Sequence, residues 1–229
     1  PSCYGNLGDN FVQEGLANRI TPFNTKKSGK NIDTEKMYDN LMNRFKFGGL
    51  KENPDVYLDE TTMRMCYTHR RMFSQLISRL IEEGKTDKAR QALDYVEEVL
   101  PTTLVPHYFG SGSLDLARAW VALGEKEKAE NILIPMANSS CEYIDWYLSM
   151  SNRQLLTKSD DVLYYQYLLH LEAELFQKAK SDKAGEYIQK LNDYNNLLQT
   201  RLYGSIQKPE EMAEPVDTNQ VMEGLEDSL

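Results

Sequence analysis

Between residues 33 and 198, apolar side chains return every three or four positions and are interrupted by short polar breaks. That is the period of helices burying one face. Met37, Leu41 and Phe45 make the first stripe. Cys66, Phe73, Leu76, Ile77 and Leu80 make the second, whose helix is predicted to run to about Glu83. Ala89, Leu93, Val96 and Leu100 follow until Pro101 stops them. Leu116, Ala117 and Trp120 are then answered by Ala129, Leu133 and Met136, and Leu168, Leu171 and Leu175 by Ala184, Ile188, Leu191 and Leu198.

Helix starts are marked as well. Asp33 and Asp59 are good N-caps, and the pairs Ile32/Met37 and Leu58/Met63 stand at hydrophobic-staple spacing around them. Gly48-Gly49 is expected to end the first helix.

The string GKTDKA at 84–89 returns as GEKEKA at 124–129 and, more weakly, as AKSDKA at 179–184. Each copy lies between two apolar stripes, so it reads as the corner of a helical hairpin rather than a chemical motif. Gly ends one helix, Thr86 is expected to cap the next, and Ala at the sixth position lets the second helix touch the first. Leu, a small residue, Gly, Ala and Pro at such offsets are features of tetratricopeptide repeats, units of about 34 residues. Gly84 and Gly124 are 40 residues apart and Gly124 and Ala179 are 55 apart, so the array is irregular. SSCEYIDWYLSM is predicted to be an extra helix, with Ser139 and Glu142 at capping-box spacing. The expected fold class is all-α: a tetratricopeptide-like helical-hairpin array over 32–203. Before it comes an irregular segment, 1–31, with a short helix in NFVQEGLANR and an extended RITPF. After it comes an acidic, mostly irregular tail, 204–229.

Composition adds most at that tail. Apolar residues at 41 % and charged residues at 27 % are ordinary for a globular chain. Of the net charge of −9, seven negative charges lie between 209 and 229, where no Lys or Arg offsets them; the remainder carries only two. That balance argues against a nucleic-acid binder, which needs a basic face. No apolar run approaches the length of about 18 residues that spans a membrane. Pro1 opens the chain without Met or a signal peptide, as expected of a processed product or an excised fragment. Three widely spaced cysteines, Cys3, Cys66 and Cys141, imply no disulfide framework.

Catalytic constellations are scarce. His69, His107 and His170 are the only histidines, and none sits in a hydrolase or metalloprotease motif. Cys66 and His69, three apart on a helix, could face one metal, but structural zinc needs four ligands and no second pair is near. FGSGSLD at 109–115 lacks the Lys of a phosphate loop and reads as a loop ending in Ser113 as N-cap. Asp160 and Asp161 read as first-turn acids. Trp120, Trp146, Tyr143 and Tyr147 make either an aromatic platform or inter-repeat core, and their helical spacing favours core. In RMCYTHRR, with Arg64, Arg70 and Arg71, the repeat offset places Arg71 and Ser74 on the inner surface, and Arg118 falls at the same place in the second copy. These three are the candidate partner-binding residues, set against a plain solvated helix face. No residue is assigned to catalysis, and no metal or cofactor is expected.

EGLANRITPFNT at 14–25, IDTEKMYDNLMNRFKFGGL at 32–50, VYLDETTMRM at 56–65 and the following LIEEGKTDKA carry a family resemblance. They are similar to the C-terminal part of a family of large Bacteroidetes membrane proteins of unknown function, whose N-terminal multi-span region resembles protein O-mannosyltransferases. The resemblance covers about Asn10 to Tyr203 and is most specific between 14 and 65. It implies that the chain is the C-terminal extramembrane domain of such a glycosyltransferase-like protein, on the periplasmic face of the inner membrane. The expected transferase residues belong to the membrane region, so none is carried over to this chain. The implied role is non-catalytic: binding a protein partner or acceptor polypeptide, or assembling the complex, with membrane contact only through an absent N-terminal region. The alternative is a soluble glycan-binding protein of an outer-membrane nutrient-uptake system, since those also build on tetratricopeptide-like helices. A small hydrolase would need a nucleophile–base pair that is not found. Exposed coplanar Trp or Tyr rings would favour glycan binding, and a clean polar concave face the protein-binding reading.

Overall fold

The computed structural model describes residues 9–203, apart from Lys26, Ser28 and Pro54. The acidic tail expected over 204–229 lies outside the described residues. Among the described residues there are eight α-helices: α1 (Thr34–Asp39), α2 (Glu60–Glu82), α3 (Thr86–Val99), α4 (Ser113–Ala122), α5 (Lys126–Leu148), α6 (Asn152–Thr157), α7 (Ser159–Lys178) and α8 (Ala184–Leu198). Two three-residue strands, β1 (Phe11–Gln13) and β2 (Asn18–Ile20), precede them, and the fold is all-α.

NFVQEGLANR forms the β1–β2 hairpin rather than the expected helix, pairing Phe11 with Ile20 and Gln13 with Asn18. Gly15 turns the chain with φ +131°, which a helix cannot accommodate, and Val12 alone of the three β1 residues is buried, a period of two. Asp33 and Asp59 cap their helices as their sequence contexts suggest, accepting the backbone N–H groups of Lys36 and Thr62 at 3.1 and 2.7 Å. Both staple pairs pack against the core. The first helix, however, stops before Gly48-Gly49. It widens into a π turn over Asn40–Arg44 and Phe45 is already extended. The side chain of Asn40 donates to the carbonyl of Glu14, tying this turn to the β-hairpin.

Three helical hairpins follow, α2/α3, α4/α5 and α7/α8, and their corners share one backbone pattern. The N–H groups of Gly84 and Lys85 reach the carbonyls of Ile81 and Leu80, and those of Gly124 and Glu125 reach Val121 and Trp120. Lys180 and Ser181 repeat this with Gln177 and Phe176. Each is a Schellman-type stop with a residue at positive φ: +73° at Gly84, +78° at Gly124 and +53° at Lys180. Lys180, not Ala179, is therefore the counterpart of the two glycines. Thr86 is the first residue of α3 rather than its cap, and Lys85 occupies the capping position.

The third corner also opens differently. Ala89 and Ala129, fourth in α3 and α5, are fully buried as expected. The fourth residue of α8 is Tyr187. Its ring stacks on Phe176 of the preceding helix, 4.7 Å between centroids, and its hydroxyl donates to Asn138 of α5. An aromatic pair takes the place of the alanine contact, and Ala184 is left only half-buried.

SSCEYIDWYLSM is not a separate helix. It continues α5, which runs unbroken through Pro135, with Ser140, Cys141, Ile144 and Tyr147 buried. Proline removes one backbone donor, a loss usually costing about 3 kcal/mol in a helix interior. Here α5 lies between α4 and α7 and packs extensively on both, which offsets that loss. One contiguous core runs from Met37 to Leu202 through all three hairpins. Among the described residues no helix is long and apolar enough to cross a membrane.

Candidate functional site

The first helix of each hairpin, α2, α4 and α7, contributes to one groove of about 400 Å³. Arg71, Ser74 and Arg118, the three residues singled out from repeat offsets, all line it, together with Phe109, Tyr167 and Leu171. They are not equivalent. Arg71 is exposed and donates to its neighbour Thr68 at 3.1 Å, and no carboxylate pairs with it among the described residues. Arg118 is exposed and makes an ion pair with Asp115 one turn away, 2.8 Å. Such surface pairs are weak and readily exchanged. Ser74 is buried, and its hydroxyl donates to the carbonyl of Arg71. It shapes the wall instead of presenting a free group.

That wall depends on Gly112. A Cβ placed there would lie 2.6 Å from Oγ of Ser74 and 3.1 Å from the backbone of Arg71, and φ is +81°. The glycine of FGSGSLD thus serves close approach of α4 to α2, not phosphate binding. Gly112 is also the capping residue, and Ser113 begins α4 with its side chain turned inward. Gly112→Ala should cost about 2 kcal/mol, combining left-handed backbone strain with overpacking. A urea unfolding midpoint unchanged from wild type would refute this.

Beside the groove, between α5 and α7, lies a second pocket of about 110 Å³ that the sequence reading missed. Glu172 of α7 lines it and is 1 % exposed. Burial pushes its carboxyl up to about 8, against a smaller opposing effect of the Ser140 hydroxyl on α5. Its Oε2 has no hydrogen-bond partner. His107 lies in the same pocket; burial, helped by nearby Arg70, holds its imidazole down at about 3, so it is neutral across the physiological range. A hydrogen-bond relay leads away from it, from Nδ1 to Oγ of Ser113 at 2.9 Å and on to Ser111 at 2.8 Å.

Aromatic rings form the rim. Tyr143 and Tyr165 stack with centroids 4.2 Å apart, Tyr165 meets Tyr164 at 74°, and Tyr164 meets Phe109 at 90°. Tyr143 is 45 % and Trp146 is 56 % exposed, whereas Trp120 and Tyr147 are buried. The expected aromatic core is thus divided: Trp120 and Tyr147 belong to it, whereas Tyr143 lies at the surface on Tyr165 of α7 and Trp146 lies exposed beside Tyr147 of its own helix.

The remaining candidates resolve into structural roles. Arg64 pairs with Glu60 one turn away, 2.6 Å, and is solvated. Arg70 is buried, donates to backbone carbonyls and lies over the ring of Tyr67. His69 packs edge-on against Phe45 and Phe47, and Cys66 is buried in the core. Among the described residues no three potential metal ligands converge. Asp160 and Asp161 stand in the first turn of α7, where the helix dipole favours acids. No protein-family model, curated protein or solved structure matches the chain.

Proposed function

We propose that the chain is a non-catalytic helical domain, a tetratricopeptide-like array attached to a glycosyltransferase-like membrane protein, which holds a partner or acceptor polypeptide in the α2–α4–α7 groove. The observation that carries this reading is the convergence of Arg71 and Arg118 on one amphiphilic groove with Phe109, Tyr167 and Leu171. Arginines can grip carboxylates or backbone carbonyls in a forked geometry, and the apolar wall takes up side chains between those grips. Helical arrays use surfaces lined by the first helices of their hairpins in this way.

Anisotropy titrations with labelled acidic, Ser/Thr-containing peptides test the reading. The wild-type chain should bind, and the double variant Arg71→Ala/Arg118→Ala should bind at least about tenfold more weakly with an unchanged thermal midpoint, the loss of two charge-assisted contacts. Equal binding by the double variant, or glycosyl transfer or hydrolysis by the purified chain alone, would defeat it.

A second reading, glycan binding, rests on the exposed rings of Tyr143 and Trp146. Rings on protein surfaces can stack on sugars, but those around the small pocket stand mostly at steep angles to one another. Titration with oligosaccharides, followed by tryptophan fluorescence, separates the two readings.

A further inference from the structure

We propose that the pocket between α5 and α7 binds an alkylammonium group, held by the Glu172 carboxylate inside it and by the rings of Phe109, Tyr143, Tyr164 and Tyr165 around it. This site is distinct from the groove, and its test does not depend on the groove's role.

Three observations converge. The first is the orphaned oxygen: Oε2 of Glu172 is buried without a partner, although native proteins seldom leave such an atom unsatisfied. The second is the absence of a cation. Among the described residues no Lys or Arg forms an ion pair with this carboxyl, and at its oxygens burial outweighs the Ser140 hydroxyl. His107, neutral, cannot do so either. A ligand bearing a positive charge would supply what the fold omits. The third is the geometry of the rings. Tyr164 and Phe109 stand at 90° and Tyr164 and Tyr165 at 74°, while Tyr143 lies flat on Tyr165 at 13° and backs that wall. Steeply inclined rings make the walls of a box, where a cation meets several π faces and edges, whereas a sugar favours a flat platform. The size agrees. At about 110 Å³ the pocket is smaller than the roughly 150 Å³ cavity that accommodates benzene in another protein, so it suits a compact headgroup better than a hexose.

Binding moves a proton. The free site holds Glu172 as a carboxylic acid below about pH 8. Entry of the cation makes the carboxylate and releases that proton to solvent. The other groups facing Glu172 do not exchange protons in this range. Burial raises the Cys141 thiol of α5 and the Tyr187 hydroxyl of α8, Tyr165 is raised to about 12, and His107 titrates only near 3.

Isothermal titration of the 229-residue chain with tetramethylammonium chloride and with n-butylammonium chloride tests the proposal, with 3,3-dimethylbutan-1-ol and methyl glucoside as neutral controls. At least one ammonium should bind at least tenfold more tightly than either control. Preference for the quaternary ion identifies a choline-type or methylated headgroup, and preference for the primary ion a lysine-type amine. Below about pH 8 the association constant should rise about tenfold per pH unit and then level off. Glu172→Gln should weaken binding at least tenfold and remove the pH dependence. Failure of both ammonium ions to saturate, control binding as tight as theirs, or unaltered binding by Glu172→Gln would each overturn the proposal. If that variant does not fold, the wild-type pH series decides, and a constant affinity between pH 6 and 8 overturns it.

Discussion

Between about pH 4.5 and 8, the stability of wild-type protein relative to Glu172→Gln is expected to fall steadily. The sign follows from the direction of the Glu172 shift, up from 4.5 to about 8. Within that window the unfolded chain has released the proton and the folded chain still holds it. The native state binds more protons, so raising the pH favours unfolding. Across the whole window the effect is on the order of 4 kcal/mol, an upper bound because water entering the pocket would solvate the carboxylate. Glutamine cannot ionise, so the variant should lie within about 1 kcal/mol of wild type at pH 5 and exceed it by several at pH 8.5. Surface carboxylates work in the opposite direction on the acid side. Glu35, hydrogen-bonded by Lys85 and Lys88, is held down at about 2, so its modest contribution is lost as the pH falls below 4.5. Urea unfolding of both proteins at pH 5 and 8.5 checks this, and an identical stability difference at the two values would show that Glu172 is not desolvated in the folded state.

The local rules of the chain were legible where one residue decides one geometry. Asp33 and Asp59 cap, Gly84 and Gly124 turn, and Ala89 and Ala129 pack because each has a single steric or hydrogen-bonding reason. The third corner lies one residue later than the alignment of AKSDKA with GKTDKA places it, because a lysine, Lys180, adopts the positive φ with the same hydrogen bonds as the glycines. The Ser139/Glu142 spacing suggested a helix boundary, but tertiary packing on two neighbours carries α5 through it and through Pro135.

Arg71, Ser74 and Arg118 were reached by repeat offset, and they do share a groove. Glu172 was not reached, and Arg70 was read only as a member of the basic cluster RMCYTHRR, although each carries a visible signal of burial. Arg70 stands between Cys66, Phe73 and Ile77 on an apolar stripe, and Glu172 between Leu168, Leu169, Ala173 and Phe176 on another. A charge on an otherwise apolar face must be paired, protonated or satisfied by backbone. What sequence spacing does not give is which of these applies, because the deciding groups come from elsewhere in the chain: the carbonyls of 100–106 for Arg70 and the rings of α5 and 108–109 for Glu172.

Arg70→Met is expected to destabilise the protein by about 3 kcal/mol or more, and Arg70→Lys by less. The guanidinium is 1 % exposed and donates to three carbonyls, of Pro106 at 2.8 Å, Val105 at 2.5 Å and Leu100 at 3.3 Å. Leu100 is the C-cap of α3, whose terminal carbonyls concentrate negative potential, so a cation is favoured there even without a carboxylate. Burial does lower Arg70 to about 10, a sign that desolvation opposes the charge, and nearby Tyr67, Cys66 and Glu97 offset only part of it. Methionine would remove that opposition and fill similar space. It would also strand the carbonyls of a segment that must turn sharply after Pro101, where few other donors are available. The second loss outweighs the first because three acceptors are left and only one charge is relieved. Lysine keeps the charge but is a single point, and cannot span carbonyls from three residues as the planar fork does. The same segment leads directly into His107, Tyr108 and Phe109, which line the ammonium pocket, the last of them also the groove. Loosening it should therefore weaken tetramethylammonium binding in Arg70→Lys even at temperatures where that variant stays folded. Unfolding of Arg70→Met within about 0.5 kcal/mol of wild type would mean that water satisfies those carbonyls as well as the guanidinium does, and the pocket would then need no such brace.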